Sequence, residues 1–332
     1  MRSERWAVML KRIVLFVLIS MVIYIGIASA LIIFGTPTAE QTDVAEMRLD
    51  ELVFDDSGLP DFRWYRARDG RDLPYRYYPS NSTTALVLIH GSGGHSRYFL
   101  PLASFVSKQD LAAVFTPDLR GHGHAPEIRG DIAYIGQFED DLADLIAHIE
   151  KDRPASRIIV GGHSSGGGLA IRFGGSRYGQ LADAYLLLAP YLRYDAPTFR
   201  AQSGWATPYT GRIIGLSMLG NVGIHWFDFL QVIEFNLPRA YRDGTETLGY
   251  THRLNTAFAP RDYPRELEAM TQPVKVIVGA DDKVFDATQY APAMSPHTDV
   301  DVSVLPGVSH IGVVVGEEIR PVLSAWLRAV SQ

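Results

Sequence analysis

The stretch at residues 162–166, Gly-His-Ser-Ser-Gly, constrains the fold of this chain more than any other. The apolar run Ile158–Val160 precedes it, and a helix-like run of small and apolar residues follows it. This is the G-x-S-x-G pattern of a strained turn between a strand and a helix, which lifts its central serine out of the sheet. Glycine is needed two residues on either side, because a Cβ there would collide across so tight a turn. Ser164 has a glycine two residues before it and another two residues after it. Ser165 has His163, which is not glycine, two residues before it, so the pattern selects Ser164. A Gly/Ser-rich loop is the alternative interpretation.

Apolar runs that alternate with helix-like stretches predict the architecture around this turn. Continuous apolar runs are typical of strands that are buried on both faces of a sheet. Strands that alternate with helices are expected to form a mostly parallel sheet covered on both faces, which is an α/β fold. The strand-like runs are Ala85–Ile89, Leu111–Phe115, Ile158–Gly161, Ala184–Leu188, Val274–Val278 and Val300–Leu305.

Local patterns predict a hairpin and several helices. Two aromatic-rich runs, 62–67 and 73–78, flank an Asp-Gly pair, which favours a tight turn, so an antiparallel hairpin is expected there. Helices are expected at about 96–109 and 317–330, and after Ser164 to about residue 178. Another helix is expected near 135–149, where apolar residues share one face. Its acidic residues lie mostly on the other side and are interpreted as a solvated surface: Glu139, Asp140, Asp141 and Asp144.

An aromatic-rich stretch from Tyr191 to about Asp262 interrupts the alternation of strands and helices. An insertion between two strands of such a sheet lies over the carboxyl ends, where ligands bind, so we expect a lid. Extra helices that only pack against the domain are the alternative. The aromatic residues are Phe199, Trp205, Tyr209, Trp226, Phe227, Phe229 and Phe235.

The N-terminal segment has the length and composition of a membrane anchor. The run Ile13–Phe34 contains 22 uncharged residues, which as a helix would span about 33 Å, the thickness of a hydrocarbon core. Four basic residues precede this run, and three acidic residues follow it before the next basic residue, Arg48. The positive-inside rule therefore places the N-terminus in the cytoplasm and the rest of the chain outside. A signal peptide cleaved after the Ala-Ser-Ala sequence at 28–30 is the alternative, although the apolar run continues beyond it.

The composition excludes several functional classes. The net charge of −6 leaves no basic excess to neutralise phosphates, so nucleic acid is not an expected partner. The chain has no cysteine, which excludes disulfides, thiolate catalysis and cysteine-ligated zinc. Hydrophobic residues make up 47% of the chain, enough for a large folded core.

Five motifs lie in a fixed order between the expected strands. They are HGSGG at 90–94, DLRGHG at 118–123, GHSSG at 162–166, GADDKVF at 279–285 and GVSH at 307–310. With these motifs the chain resembles the α/β-hydrolases, near their lysophospholipase, monoacylglycerol lipase and serine aminopeptidase-like branch. The resemblance extends from about Leu59 to Gln332 and implies an α/β-hydrolase fold with a lid insertion.

The resemblance implies a serine hydrolase with a catalytic triad. Ser164 is the expected nucleophile, His310 the base that activates it, and Asp282 the acid that orients the histidine. The order Ser…Asp…His along the chain is the one that this fold uses. The family pattern places the acid three residues after the glycine that ends a strand, which gives Asp282, with Asp281 as the alternative. A pair of loop aspartates and a surface histidine without a catalytic role is the competing interpretation.

The same resemblance implies an oxyanion hole and assigns the other histidines. Backbone N–H groups of Ser92 and Ser165 are expected to bind the oxyanion, with Gly93 as an alternative to Ser92. His90 and His122 correspond to structural residues in the family pattern, and His163 is expected to pack in the core. No metal site is expected from the histidines at 122 and 124, because no matching set of carboxylates accompanies them. No cofactor is expected.

The expected function follows from these residues. Serine at the tight turn, where epoxide hydrolases and haloalkane dehalogenases of this fold carry aspartate, points to esters, thioesters or amides. We expect a carboxylic ester such as an acylglycerol or lysophospholipid, cleaved through an acyl-enzyme. A serine peptidase is the alternative, but the insertion offers no acidic cluster that the sequence assigns to a free amino terminus. A binding protein without turnover is a third possibility.

The expected organisation divides the chain into four parts. Residues 1–12 form a cytoplasmic N-terminus, 13–34 a single transmembrane anchor and 35–50 a linker. Residues 51–332 form the α/β-hydrolase domain, with 191–262 as the lid insertion. The protein is expected in the cell membrane with this domain outside the cytoplasm, or secreted if the segment is a cleaved signal peptide.

Overall fold

An eight-stranded sheet forms the centre of the molecule. The structure is a computed structural model, and it describes residues 2–36, 48–124, 126–155, 157–200 and 204–331. The order of strands across the sheet is β1-β2-β4-β3-β5-β6-β10-β11. These strands are Phe62–Arg66 (β1), Asp72–Tyr78 (β2), Thr84–Ile89 (β3), Ala113–Pro117 (β4), Arg157–His163 (β5), Ala184–Leu188 (β6), Val274–Gly279 (β10) and Val300–Leu305 (β11).

The sheet is parallel except at one edge. Strands β1 and β2 form the antiparallel hairpin that the Asp-Gly pair predicts, and β2 adds antiparallel to β4. All other neighbours in the sheet are parallel. The prediction of a mostly parallel sheet is therefore confirmed. Its central strands are buried along their whole length, as a sheet covered on both faces requires.

Helices cover the sheet and also lie outside it. The core that they enclose is continuous from the hairpin to the C-terminal helix. The helices are Arg2–Phe34 (α1), Leu100–Lys108 (α2), Gln137–Asp152 (α3), Ser165–Gly174 (α4), Thr210–Asn221 (α5), His252–Ala257 (α6), Tyr263–Ala269 (α7), Tyr290–Met294 (α8), Gly312–Val315 (α9) and Arg320–Val330 (α10).

The insertion between β6 and β10 contains a small antiparallel sheet that the sequence did not predict. Its strands are Ala206–Pro208 (β7), Gln231–Phe235 (β8) and Gly249–Thr251 (β9), in the order β7-β8-β9. Helix α5 connects β7 to β8, and α6 follows β9 directly. Two of the three strands have only three residues, too few for an alternating pattern to reveal them. We call the described residues between 191 and 262 the cap.

Helix α1 contains the apolar run that the sequence predicts as a membrane span. From Glu4 to Phe34 it is long and apolar enough to cross a bilayer, and most of its side chains are exposed. Most of the expected linker, residues 37–47, lies outside the described residues. The chain is described again from Arg48, and Leu49–Leu52 forms a 3-10 helix whose first residue is buried.

The C-terminal half of α1 packs against the cap helix α5. The hydroxyl of Tyr24 donates a hydrogen bond to the carbonyl of Met218 at 2.9 Å. Ala28 is fully buried in this contact, although it belongs to an otherwise exposed helix. The apolar N-terminal helix is therefore packed against the folded domain at this end.

The interpretation of the acids on α3 as a solvated surface is wrong for two of them. Glu139 is buried and pairs with the fully buried Arg172 of α4 at 2.7 Å. Asp141 is also buried and pairs with Arg120 at 2.6 Å. Their partners come from distant segments, so the local pattern of α3 could not reveal them. Arg172 also donates to the carbonyls of Thr256 and Ala259, which fastens the end of the cap to the domain.

We expect Arg172→Met to lower the free energy of unfolding by about 3–5 kcal/mol, because it leaves the Glu139 carboxylate buried without its main partner. Arg177→Met is the matched control, since its side chain is 72% exposed in its ion pair with Asp140, and should cost less than about 1 kcal/mol. Chemical denaturation of the full chain in detergent micelles measures both. Equal losses for the two variants would contradict the assignment, and the double variant with Glu139→Met should recover most of the loss.

Candidate active site

Ser164 lies in a strained turn between β5 and α4. Its backbone has φ 54° and ψ −121°, which is unusual for a residue with a side chain. The flanking glycines allow this geometry: a Cβ on Gly162 would lie 2.2 Å from the carbonyl oxygen of Gly166. A Cβ on Gly166 would lie 2.2 Å from the carbonyl oxygen of Ile89 in the neighbouring strand β3. The two glycines therefore let the turn close against β3.

Asp282 and His310 lie together at the carboxyl ends of two adjacent strands. Gly279 of β10 is in register with Leu305 of β11, so the loops that follow these strands begin side by side. His310 Nδ1 lies 2.8 Å from Asp282 Oδ2, and both side chains are buried. The other carboxylate oxygen of Asp282 accepts the N–H groups of Val284 and Phe285. Asp281, the alternative acid, is exposed.

A hydrogen-bonded chain through His163 holds the backbone of His310. The carbonyl of His310 lies 3.0 Å from His163 Nε2, which donates to it. His163 Nδ1 lies 3.3 Å from the hydroxyl of Tyr98, and that hydroxyl accepts the N–H of Gly91. Burial lowers the pKa of His163 well below its usual value, so the ring is neutral and keeps this arrangement. The sequence predicted only a packing role for His163.

The loop after β3 places its backbone beside Ser164. Ile89 of β3 is in register with Gly162 of β5, and a Cβ on Gly91 would lie 3.2 Å from the Cβ of Ser164. The N–H of Gly93 donates to the hydroxyl of Tyr250 at 2.7 Å. Of the two candidate oxyanion donors on this loop, Gly93 therefore already has an acceptor for its N–H.

Two further histidines have structural hydrogen bonds. His90 Nε2 accepts the N–H of Leu119, and its Nδ1 donates to the carbonyl of Gly91. Burial lowers the pKa of His90 to about 4, which keeps the ring neutral. His122 uses one ring nitrogen for the carbonyl of Arg120 and the other for the hydroxyl of Tyr250.

A cavity of about 310 Å³ joins these elements. Ser164, His310 and the loop at 91–95 line its floor. Its walls come from the cap, which the sequence places over the ligand-binding edge of the sheet, and from the short segment after the N-terminal helix, which the sequence did not assign to the site. The lining residues of the walls are Leu49, Leu52, Val53, Trp205, Leu237, Ala240, Tyr241, Arg242, Asp243, Thr245 and Glu246.

The segment Leu49–Val53 also contacts the loop that carries His310. Glu51 accepts a hydrogen bond from the hydroxyl of Ser309, and that hydroxyl in turn accepts the N–H of Gly312 at 2.8 Å. Glu51 is held in place by Arg48 at 2.9 Å. The start of the folded domain is thus part of the site, which no local motif could have indicated.

The arrangement can perform nucleophilic chemistry on a carbonyl group. It combines a serine in a strained turn with an imidazole that hydrogen-bonds a buried carboxylate, at the edge of one cavity. A carbonyl carbon held beside the serine would have a nucleophile within reach and a histidine able to accept the nucleophile's proton.

Comparison with known proteins identifies relatives over part of the chain. A family model described as "Serine aminopeptidase, S33" matches residues 80–229. Human monoglyceride lipase is 33% identical over 124 residues, which are 36% of this chain and 40% of that protein. Monoacylglycerol lipase of Mycolicibacterium smegmatis is 31% identical over 105 residues, 32% of this chain and 37% of that protein. The match therefore spans less than half the length of these relatives.

Solved structures share the fold over most of the chain. A soluble variant of the monoglyceride lipase of Saccharomyces cerevisiae, in complex with a substrate analogue, superposes with a TM-score of 0.63 at 16% identity. The similarity covers 84% of this chain and 98% of that one. A thermophilic esterase from Thermogutta terrifontis gives a TM-score of 0.56 at 19% identity, covering 82% of this chain and 100% of that one.

We expect Tyr98→Phe to lower kcat for a p-nitrophenyl ester by roughly fivefold with little change in KM, because it removes a hydrogen bond of about 1 kcal/mol from the chain that fixes His310. Tyr185→Phe is the matched control, since its buried hydroxyl donates to the carbonyl of Gly179, remote from the cavity. Both variants should lose similar thermal stability. An equal fall of kcat in both would contradict a positioning role for Tyr98.

Proposed function

We propose that this chain, which has the fold of the α/β-hydrolases and resembles their lysophospholipase, monoacylglycerol lipase and serine aminopeptidase-like branch, is a serine hydrolase of carboxylic esters. The observation that carries this proposal is the hydrogen bond between His310 and the buried Asp282 at the edge of the cavity that Ser164 lines. The relatives at about a third identity include monoglyceride lipases, which supports an acyl ester as substrate.

In the proposed reaction the hydroxyl of Ser164 attacks the carbonyl carbon of the ester. Asp282 accepts the Nδ1–H of His310, so Nε2 is free to take the serine proton as the new C–O bond forms. The carbonyl electrons move to its oxygen, where the N–H groups of Ser92 and Ser165 stabilise the negative charge. When the tetrahedral intermediate collapses, the alcohol leaves with the proton from His310 and an acyl-enzyme remains. Water then repeats these steps, releases the carboxylic acid and restores the serine.

The geometry of the strained turn supports the proposed roles of Ser164 as nucleophile and Ser165 as backbone donor. A strained φ at Ser164 is kept only where the surrounding structure imposes it, and such strain is concentrated at functional sites. Ser165 is the first residue of α4, so its N–H is one of those that a helix leaves without an intrahelical acceptor. A backbone donor at this position does not depend on the serine side chain.

We expect Ser164→Ala to lower kcat/KM for p-nitrophenyl esters on the order of 10⁴-fold or more and to abolish labelling by a fluorophosphonate. Ser165→Ala is the matched control, because it keeps the backbone N–H and should retain most activity and full labelling. Labelling of the Ser164 variant at the wild-type rate, or loss of labelling in the Ser165 variant alone, would exclude Ser164 as nucleophile.

A serine aminopeptidase is the second candidate, and one observation favours it besides the name of the matching family. Asp243 and Glu246 of the cap line the cavity, an acidic pair that the sequence had not assigned. A free amino group could bind between such carboxylates. Arg97 and Arg242 line the same cavity, however, so the site has no net negative charge from these four residues. The ester remains the better-supported substrate.

A substrate panel separates the two candidates. We expect turnover of p-nitrophenyl butyrate and of monoacylglycerols, and no release of p-nitroaniline from aminoacyl anilides. The reason is that the walls of the cavity are largely apolar and that its volume, about 310 Å³, is at the small end of ligand pockets. Asp243→Asn should leave ester turnover nearly unchanged. Cleavage of the anilides that falls in Asp243→Asn would instead establish the peptidase.

We also propose that helix α1 is an uncleaved anchor in the cell membrane, with the N-terminus in the cytoplasm and the hydrolase domain outside. The basic residues before the apolar run support this orientation. The packing of Tyr24 and Ala28 against the cap supports retention of the helix, because cleavage near residue 30 would remove this contact.

The chain has no cysteine, so single cysteines can report its topology without background. Val304→Cys in the exposed part of β11 should react with a membrane-impermeant maleimide on intact spheroplasts, whereas Arg5→Cys should react only after lysis. The reverse pattern would contradict the proposed orientation. Recovery of a chain that lacks its first 30 residues would show a cleaved signal peptide.

A further inference from the structure

The cap carries an apolar surface directly beside the N-terminal helix. We propose that helix α5 and the loop that follows it to Leu230 lie in the outer leaflet of the bilayer, where headgroups meet acyl chains, and that α1 holds them at that depth. We call the described residues 210–230 the membrane face. The proposal rests on the proposed anchoring of α1 and adds that the cap itself contacts lipid.

The contact between the two helices is close because small residues form it. A Cβ on Gly215 would lie 2.6 Å from the carbonyl oxygen of Ala28 and 2.8 Å from Cγ1 of Ile32. A Cβ on Gly211 would lie 2.7 Å from Cα of Gly35. Glycines four residues apart allow helices in a membrane to approach this closely. The order of the contacts shows that the helices run antiparallel.

The position of this contact along α1 sets the depth of α5. It extends from Tyr24, which bonds Met218, to Gly35, which touches Gly211. At a rise of about 1.5 Å per residue this stretch covers about 16 Å, close to the thickness of one leaflet of a hydrocarbon core of about 30 Å. If α1 spans the bilayer through Phe34, its partner α5 lies level with the outer leaflet.

The exposed side chains of the membrane face suit this environment. Trp226 is 80% exposed, and tryptophan is enriched at membrane interfaces. Elsewhere in the described domain, exposed large apolar side chains are scattered, whereas this short stretch carries several and so forms a patch. Its other members are Ile214, Val222, Phe227 and Phe229.

The charged residues of the membrane face are placed where a bilayer tolerates them. Arg212 lies at the outer end of α5, where its guanidinium donates to the carbonyl of Gln231 at 2.7 Å. The carboxylate of Asp228 is buried and bonds His225 at 2.9 Å and His252 at 3.0 Å. Apart from His225, the sequence between Thr210 and Leu230 contains two ionisable residues, Arg212 and Asp228. The exposed apolar side chains can therefore enter the lipid without burying an unpaired charge.

Lipid contact at the cap would favour esters that are dissolved in the leaflet. Strand β7 precedes α5 directly, and Trp205 just before β7 donates to the hydroxyl of Ser92 at 3.1 Å. The membrane face is thus joined through one short segment to the loop beside Ser164. We infer that membrane-borne acyl esters are the substrate class.

Nitroxide quenching tests the proposal on the full chain in phosphatidylcholine vesicles. Single cysteines at Val222 and Trp226 carry an environment-sensitive fluorophore, and the vesicles contain lipids with a nitroxide on the acyl chain. Val304→Cys is the matched control, because Val304 lies in β11 and its exposure of 44% is close to the 45% of Val222. Ile23→Cys, exposed on α1, reports the anchor itself.

We expect quenching by at least half at the labels on positions 222, 226 and 23, and none at position 304. Quenching at position 23 without quenching at 222 and 226 would overturn the proposal and leave the anchoring of α1 intact. Absence of quenching at position 23 would overturn the anchoring and, with it, this proposal. Ester turnover in solution is measured in parallel, so failure of the proposed hydrolase activity is a separate result.

Gly215→Leu tests whether the contact with α1 sets the depth of α5 in the bilayer. The leucine side chain would separate α1 from α5, so quenching at position 222 should fall at least twofold. Hydrolysis of a monoacylglycerol in vesicles should also fall more than hydrolysis of a soluble ester. The soluble ester also shows that the variant is folded. Gly26→Leu is the control, because a Cβ there meets nothing within 4 Å. Equal effects of the two variants would overturn the role of the helix contact.

Discussion

The closure of the turn at Ser164 against strand β3 is the constraint on which the site depends. It needs backbone contact between Gly166 and Ile89 that no side chain would permit, and a left-handed φ at Ser164 itself. Such a φ costs on the order of 1–3 kcal/mol, which the buried strands on both sides and helix α4 must offset. The same closure brings the loop after β3 next to the serine. One packing constraint therefore positions both the serine and the backbone of the loop that follows β3.

The cap lines the candidate site, and it also fixes the loop that follows β3. The N–H of Thr247 donates to the carbonyl of Gly93 at 3.0 Å, while Tyr250 and Trp205 bond the same loop. The loop that is expected to supply an oxyanion donor is thus fixed by cap residues as well as by β3. Because α5 belongs to the same cap and packs on α1, the N-terminal helix and the site are connected through one structural unit.

The sequence predicted the fold, and it indicated which polar residues meet in the candidate site, because both depend on local patterns. Parallel strands end at one edge of the sheet, so polar residues that follow Val274–Gly279 and Val300–Leu305 had to meet, as Asp282 and His310 do. The bonds of His163 to Tyr98 and to His310 join segments distant in sequence, and no spacing encodes them. The same is true of the buried pair between Glu139 and Arg172 and of the contribution of Leu49–Val53 to the cavity.

The central claim is that Ser164 carries the acyl group during turnover. The most direct test is peptide mass spectrometry of the full chain, quenched with acid while it turns over a p-nitrophenyl acyl ester. The account predicts one acyl adduct on the peptide that contains Ser164, located on that serine by fragmentation and absent when His310 is replaced by glutamine. An adduct on Ser165, or steady turnover without any adduct on this peptide, would contradict it.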